Sequence, residues 1–116
     1  ITGAFIALVD ALRWAKDKGM IKTIPLTDYI AAVSVGKVGD KMLLDLKYDE
    51  DSAAEVDANF VLTGRGQIVE IQGTAEGDPF SEDEFMTLFQ LAKIGIKKLV
   101  AEQKKVITPA LSFPRR

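Results

Sequence analysis

Between Val56 and Thr63 the chain reads VDANFVLT, and its alternation restricts this stretch to a strand with two unlike faces. Strand side chains point alternately to opposite sides. Val56, Ala58, Phe60 and Leu62 therefore share an apolar face, while Asp57, Asn59, Val61 and Thr63 share the other. With the apolar set lining a core, Asp57 and Asn59 project together from the opposite face. Asp51, in the acidic stretch before the strand, is placed to close back over that face. Two carboxylates and an amide converging at a strand entrance suit a divalent metal beside a phosphate. A solvated turn is the competing reading, and the residues by themselves leave both open.

The rest of the composition narrows the chemistry. A chain of 116 residues holds one domain at most, and 47% hydrophobic with 28% charged residues is enough to bury a core. The absence of cysteine and histidine excludes disulfides, thiolate sites, imidazole catalysis and most zinc chemistry. Acid–base and ligand roles fall to Asp, Glu, Lys, Arg, Tyr or backbone, which favours a hard, oxygen-liganded cation such as Mg²⁺. The net charge of −2 argues mildly against autonomous nucleic-acid binding. No apolar run is long enough for a membrane span. The opening apolar stretch lacks a basic n-region and carries Asp10 and Arg13, so no secretory signal is expected. A start at Ile1, running straight into a helical pattern, is expected of a processed chain or a piece of a longer one.

Residues 2–18 read as a helix, with Thr2 as N-cap, Phe5, Leu8, Val9, Leu12 and Ala15 at helical spacing, and Gly19 as the stop. Strands are expected over 29–35, 42–48, 56–63 and 67–72, with turns at Gly39-Asp40 and Gly64-Arg65-Gly66. A second helix is announced by a capping box, Ser81 with Glu84, and by Phe80 stapling onto Phe85. Its apolar stripe runs to about Val106. Pro109 and Pro114 prevent its continuation, leaving 108–116 as a tail after a domain of 1–107. The predicted fold is α+β: helix, four-stranded mainly antiparallel sheet, helix, with both helices against one sheet face.

Other features admit plain readings. An EF-hand is excluded, because a loop counted from Asp49 puts Ala54 at its glycine position and Phe60 at its final glutamate position. Gly64-Arg65-Gly66 reads as a hairpin turn and not a phosphate cradle. Gly73 to Gly77 reads as a strand-to-helix connector. Lys97, Lys98, Lys104 and Lys105 read as a solvated helix face, and Trp14 is expected to pack against a neighbour.

ITGAF at 1–5, AAVSVG at 31–36, LLDL and EDSAAEVDAN within 43–59, and VEIQGTAEGDPFS at 69–81 together resemble the C-terminal part of bacterial ribonuclease PH. The likeness is collinear over about residues 1–107. It implies the C-terminal half of a ribonuclease PH-like, ribosomal protein S5 domain 2-like fold. It also implies a cytoplasmic, phosphate-dependent 3′-to-5′ exoribonuclease that trims tRNA precursor 3′ ends, acts in rRNA processing and assembles as a hexameric ring. The family's functional aspartates, six residues apart, fall on Asp51 and Asp57. The resemblance makes them the catalytic residues and the ligands of Mg²⁺ or Mn²⁺, with inorganic phosphate as co-substrate. Asn59 becomes a neighbour of the site. In the family, ITGAF follows a segment whose Thr-Arg pair binds phosphate, and the basic RNA-contacting segments also lie N-terminal to it. The implied partners are therefore RNA, phosphate and an N-terminal ribonuclease PH segment on the same or another chain. Where the family reads DMN, this chain has Asp57-Ala58-Asn59, a change on the core face.

On that reading, phosphate attacks the last phosphodiester of RNA and releases a nucleoside 5′-diphosphate. One aspartate holds metal or protonates the departing 3′ oxygen. Two nearby carboxylates repel, which raises one pKa and leaves either role open to either residue. The alternative is a non-catalytic ring subunit of the same fold that binds RNA or partner chains.

Overall fold

The apolar face of the Val56–Thr63 strand lies under a helix, with Phe60 only 1% exposed. The computed structural model describes residues 1–44, 54–107 and 111. In chain order these form α1 (Thr2–Asp17), β1 (Ile30–Val38), β2 (Lys41–Leu44), β3 (Val56–Thr63), β4 (Ile68–Ala75) and α2 (Glu82–Val106). The strands make one antiparallel sheet in the order β2-β1-β3-β4. Phe5 and Val9 of α1 and Leu88, Ala92, Ile96 and Val100 of α2 enter one core with Ala31, Val33 and Val35 of β1 and the apolar face of β3. Both helices thus cover the same face of the sheet, which is the expected α+β arrangement.

Aromatic rings join α2 to β3. Phe89 stacks on Phe60 with centroids 5.5 Å apart, and Phe85 meets both edge-on at 6.0 and 5.9 Å. Each such pair adds about 0.5–1.5 kcal/mol beyond the area it buries. The N-terminus of α2 carries the predicted capping box: Ser81 Oγ accepts from the Glu84 amide, and the Ser81 amide donates to Glu84 Oε1. Phe80 and Phe85 flank this cap and pack against the core. Toward the other end, buried Gln103 donates through Nε2 to the Ile30 carbonyl at 2.8 Å. At the first turn, Lys37 Nζ lies 2.9 Å from Glu84 Oε2 and 3.7 Å from Glu55 Oε2. Midway along, α2 approaches the sheet at Gly95. A Cβ there would meet Leu44 Cδ1 at 2.8 Å and Val33 Cγ1 at 3.2 Å, so glycine sets the helix–sheet distance.

Several sequence expectations need correction. Thr2 is the first helical residue and Ile1 occupies the cap position, with no side-chain cap. Trp14 is 56% exposed instead of packed, and Leu8 of the predicted apolar stripe is exposed too. β1 runs three residues past its expected end, to Val38. β4 extends to Ala75, so Gly73, Thr74 and Ala75 are strand and not connector. They pair with Ala58, Asp57 and Val56, and those partners, already ordered in β3, hold the glycine in the sheet. The second half of the strand expected over 42–48 lies outside the described residues.

Two consequences can be measured. Gly95→Ala adds a methyl where Leu44 and Val33 leave no room, an overpacking cost of about 1–3 kcal/mol. Helix propensity returns about 1 kcal/mol. The urea midpoint should fall by an amount equivalent to about 1 kcal/mol, and a raised midpoint would show that Leu44 yields freely. The second concerns Glu84, whose carboxyl is held below the usual glutamate range by its bond to Lys37 and by the Ser81 amide, while Glu84 raises the Lys37 ammonium. A lowered carboxyl stabilises the fold above its unfolded pKa, and this is lost as pH falls through the folded one. The raised ammonium stabilises below the usual lysine value, and this is lost as pH rises through the folded one. The difference in melting temperature between the parent and Glu84→Gln should therefore be level near neutrality and close up in acid below the glutamate range.

Candidate functional site

Directly opposed residues of an antiparallel pair point to the same side of the sheet, so the register defines the face that the helices leave uncovered. Asp57 stands between Gly36 on β1 and Thr74 on β4. Asn59 stands between Ser34 and Gln72, and Val61 between Ala32 and Glu70. This face presents hydroxyls, amides and carboxylates around Asp57 and Asn59, and becomes apolar and closed toward Ala32 and Val61, which is buried. Asp57 is half-buried and Asn59 exposed, which agrees with their projecting together from the sheet. Ser34 Oγ donates to Asn59 Oδ1 at 2.6 Å and fixes that amide oxygen against β1. The residue directly across from Asp57 on β1 is glycine, which brings no side chain of its own to that position.

The start of β3 is pinned from both neighbours. The Glu55 amide donates to the Lys37 carbonyl and the Glu55 carbonyl accepts from the Glu76 amide, both at 2.8 Å. This continues the ladder beyond β3 and settles where the chain enters the sheet two residues before Asp57. Asp51 lies within 45–53, outside the described residues.

The donor chemistry fits a hard divalent cation in kind, because Asp57 contributes a carboxylate amid oxygen-bearing neighbours. Such an ion takes one or two carboxylates and completes its shell with water and substrate oxygens. Among the described residues no cluster of three or more acidic side chains gathers at one point.

Ser34, Gln72 and Thr74 were not among the residues singled out from the sequence. The polar alternation of Glu70, Gln72 and Thr74 marks one face of β4, which ending the strand at Gln72 cuts short, but only register brings that face and Ser34 beside Asp57. Gly64-Arg65-Gly66 forms the expected hairpin turn, Gly66 taking φ +86°. Asp28 anchors it, accepting from the Arg65 amide at 3.2 Å and lying 3.6 Å from Arg65 Nε. All four lysines read as a solvated face are exposed, with Lys105 bonded to Glu102. Lys97 and Lys104 line a trough on the helix side of the sheet.

With this geometry in place, comparison with known proteins is informative. Residues 28–95, which run from just before β1 to the middle of α2, match the model of the 3′ exoribonuclease family, domain 2. A solved structure described as the Archaeoglobus fulgidus exosome with RNA bound to the active site superposes with a TM-score of 0.60 over 78% of this chain, at 22% identity. That likeness demonstrates a shared fold, and the matched region is 36% of the exosome chain's length. More than half of the present chain lies within the family match, and the architecture agrees with it. The chain belongs to the ribonuclease PH-type 3′ exoribonuclease family, as its C-terminal domain 2.

Proposed function

We propose that this domain is the aspartate-bearing part of a phosphorolytic 3′-to-5′ exoribonuclease of the bacterial ribonuclease PH type. The observation that carries the reading is the placement of Asp57: half-buried on the polar sheet face, opposite a glycine, in a chain of this family. Its proposed partner in the chemistry is Asp51, six residues earlier. The substrate is the 3′ end of a tRNA precursor, and the domain works in the cytoplasm within a hexameric ring. An N-terminal ribonuclease PH segment, on the same or another chain, supplies the phosphate-binding arginine.

In the proposed reaction an oxygen of inorganic phosphate attacks the phosphorus of the terminal phosphodiester. A new P–O bond forms as the bond to the 3′ oxygen breaks, releasing a nucleoside 5′-diphosphate and an RNA one residue shorter. The departing 3′ oxygen takes a proton, and a protonated Asp51 or Asp57 supplies it. The other carboxylate would hold Mg²⁺ or Mn²⁺, which would supply charge neutralisation at the phosphate. Asn59, held by Ser34, stands beside Asp57 as a hydrogen-bonding neighbour for a ribose or phosphate oxygen.

The test is release of nucleoside diphosphate from a short RNA in the presence of phosphate, Mg²⁺ and an added N-terminal segment. Turnover should require both phosphate and that segment. Asp51→Ala and Asp57→Ala should each lower it by about 10²–10⁴-fold while leaving the circular dichroism spectrum unchanged. Parental rates in either variant would remove that residue from the mechanism.

A further inference from the structure

On the side of the sheet away from Asp57, α2 and the β3–β4 hairpin enclose an open trough of about 530 Å³. Its floor is aliphatic, formed by Leu62, Ile96 and Val100. Its rim is cationic, with Lys93, Lys97 and Lys104 from α2, and among the described residues no Asp or Glu lines it. In a chain whose net charge is −2, that segregation runs against composition. Arg65 also borders the trough and is paired with Asp28, while Lys93 and Lys104 rest over the Phe89 and Tyr29 rings at 5.5 Å, which leaves their charge unneutralised.

The spacing of the lysines indicates the shape of the ligand. They are separated by four and then seven residues, about one and two helical turns, and so form a single stripe about 16 Å long. An opposing helix with carboxylates at the same intervals meets that stripe along its whole length. There is room for one. α2 packs over β1, β2 and β3, whereas β4 is exposed almost from end to end. Ile68 and Ile71 lie opposite Leu62 and Phe60, hence on the helix side, and are 52% and 41% exposed. Ile94, on the flank of α2, is 53% exposed. A helix lying beside α2 over β4 would cover these three isoleucines. Single-stranded RNA is the less suitable occupant, because among the described residues no aromatic ring lines the trough for bases to stack on.

We propose that this trough is a docking surface for an acidic amphipathic helix of a partner protein. The helix seats its apolar stripe against Ile68, Ile71 and Ile94 and directs its carboxylates to Lys93, Lys97 and Lys104. The proposal is independent of the phosphorolytic reading, since the trough and Asp57 are on opposite faces of the sheet.

The probe is a fluorescent synthetic peptide of about 20 residues, long enough to form a helix. It carries Leu and Ile at helical spacing and Glu at intervals of four and seven, and a scrambled peptide of the same composition is the control. Anisotropy titration with the 116-residue chain should show the patterned peptide binding at least about tenfold more tightly than the scrambled one, and weakening as salt rises. Lys93→Glu with Lys97→Glu should weaken binding about tenfold, and Ile94→Asp should also weaken it. Lys105→Glu, on a lysine outside the trough, should leave binding within about twofold. All four positions are exposed, so circular dichroism should confirm intact folds, and Lys97→Gln repeats the test without charge reversal. Absence of binding, equal binding of both peptides or indifference to the trough variants would overturn the proposal. So would tighter binding of a 20-nucleotide RNA or of phosphatidylserine vesicles through the same lysines.

Discussion

The position of the candidate site follows from which face of β3 is buried. Phe60 lies beneath Phe85 and Phe89, and Val56, Ala58 and Leu62 share its side. A shift of one residue would exchange the two faces, because strand side chains alternate. It would expose Phe60, at a loss of about 2–3 kcal/mol of burial. It would also push Asp57 toward the core, where an unpaired carboxylate costs several kcal/mol more. Both terms have the same sign, so the register that completes the core is also the register that presents Asp57 and Asn59 to the uncovered face.

The same coupling extends to the strand entrance. Glu84 closes the capping box of α2 and pairs with Lys37 at the end of β1. Lys37 reaches Glu55 with its side chain, and its carbonyl accepts the Glu55 amide. The Glu55 carbonyl in turn binds the Glu76 amide beyond β4. A helix cap on one side of the sheet, the end of β1 and the point where the acidic segment rejoins the sheet are therefore one connected set. Asp57, two residues further along, inherits that definition.

Legibility from sequence tracked how much of each signal was local. The bounds of β3 and of α2 could be read directly, because a period-two pattern, a capping box and an apolar stripe each lie within the element they mark. Gly73 misled the reading of β4: a glycine beside Thr74 lowers strand propensity, and only the pairing with Ala58 and the Phe80 ring 3.7 Å from where its Cβ would lie explain its place. Trp14 misled for the opposite reason. A large aromatic side chain invites burial, yet α1 turns it toward solvent while Phe5 and Val9 make the core contacts. The polar face around Asp57 was half legible. Asp57 and Asn59 are neighbours within one strand, whereas Ser34, Gln72 and Thr74 join them only through register, which a single strand's pattern does not contain.

Net charge was the least local signal, and it concealed the most. A total of −2 conceals local clustering: Lys93, Lys97 and Lys104 share one flank of α2, although the first turn of the same helix is acidic. The lysines of α2 that line the trough lie on the helix side, while Asp57, Glu70 and the polar strand residues lie on the other. Separation of this kind follows from the architecture. A two-layer domain has one sheet face covered by helices and one left bare, and cationic residues at the helix flank cannot neutralise acids on the far side of the sheet at the distances that screening permits. Each face therefore meets its ligands with its own charge. For a chain of this architecture, the charge that decides binding is that of a face, and strand register together with helix phase predicts it better than composition does.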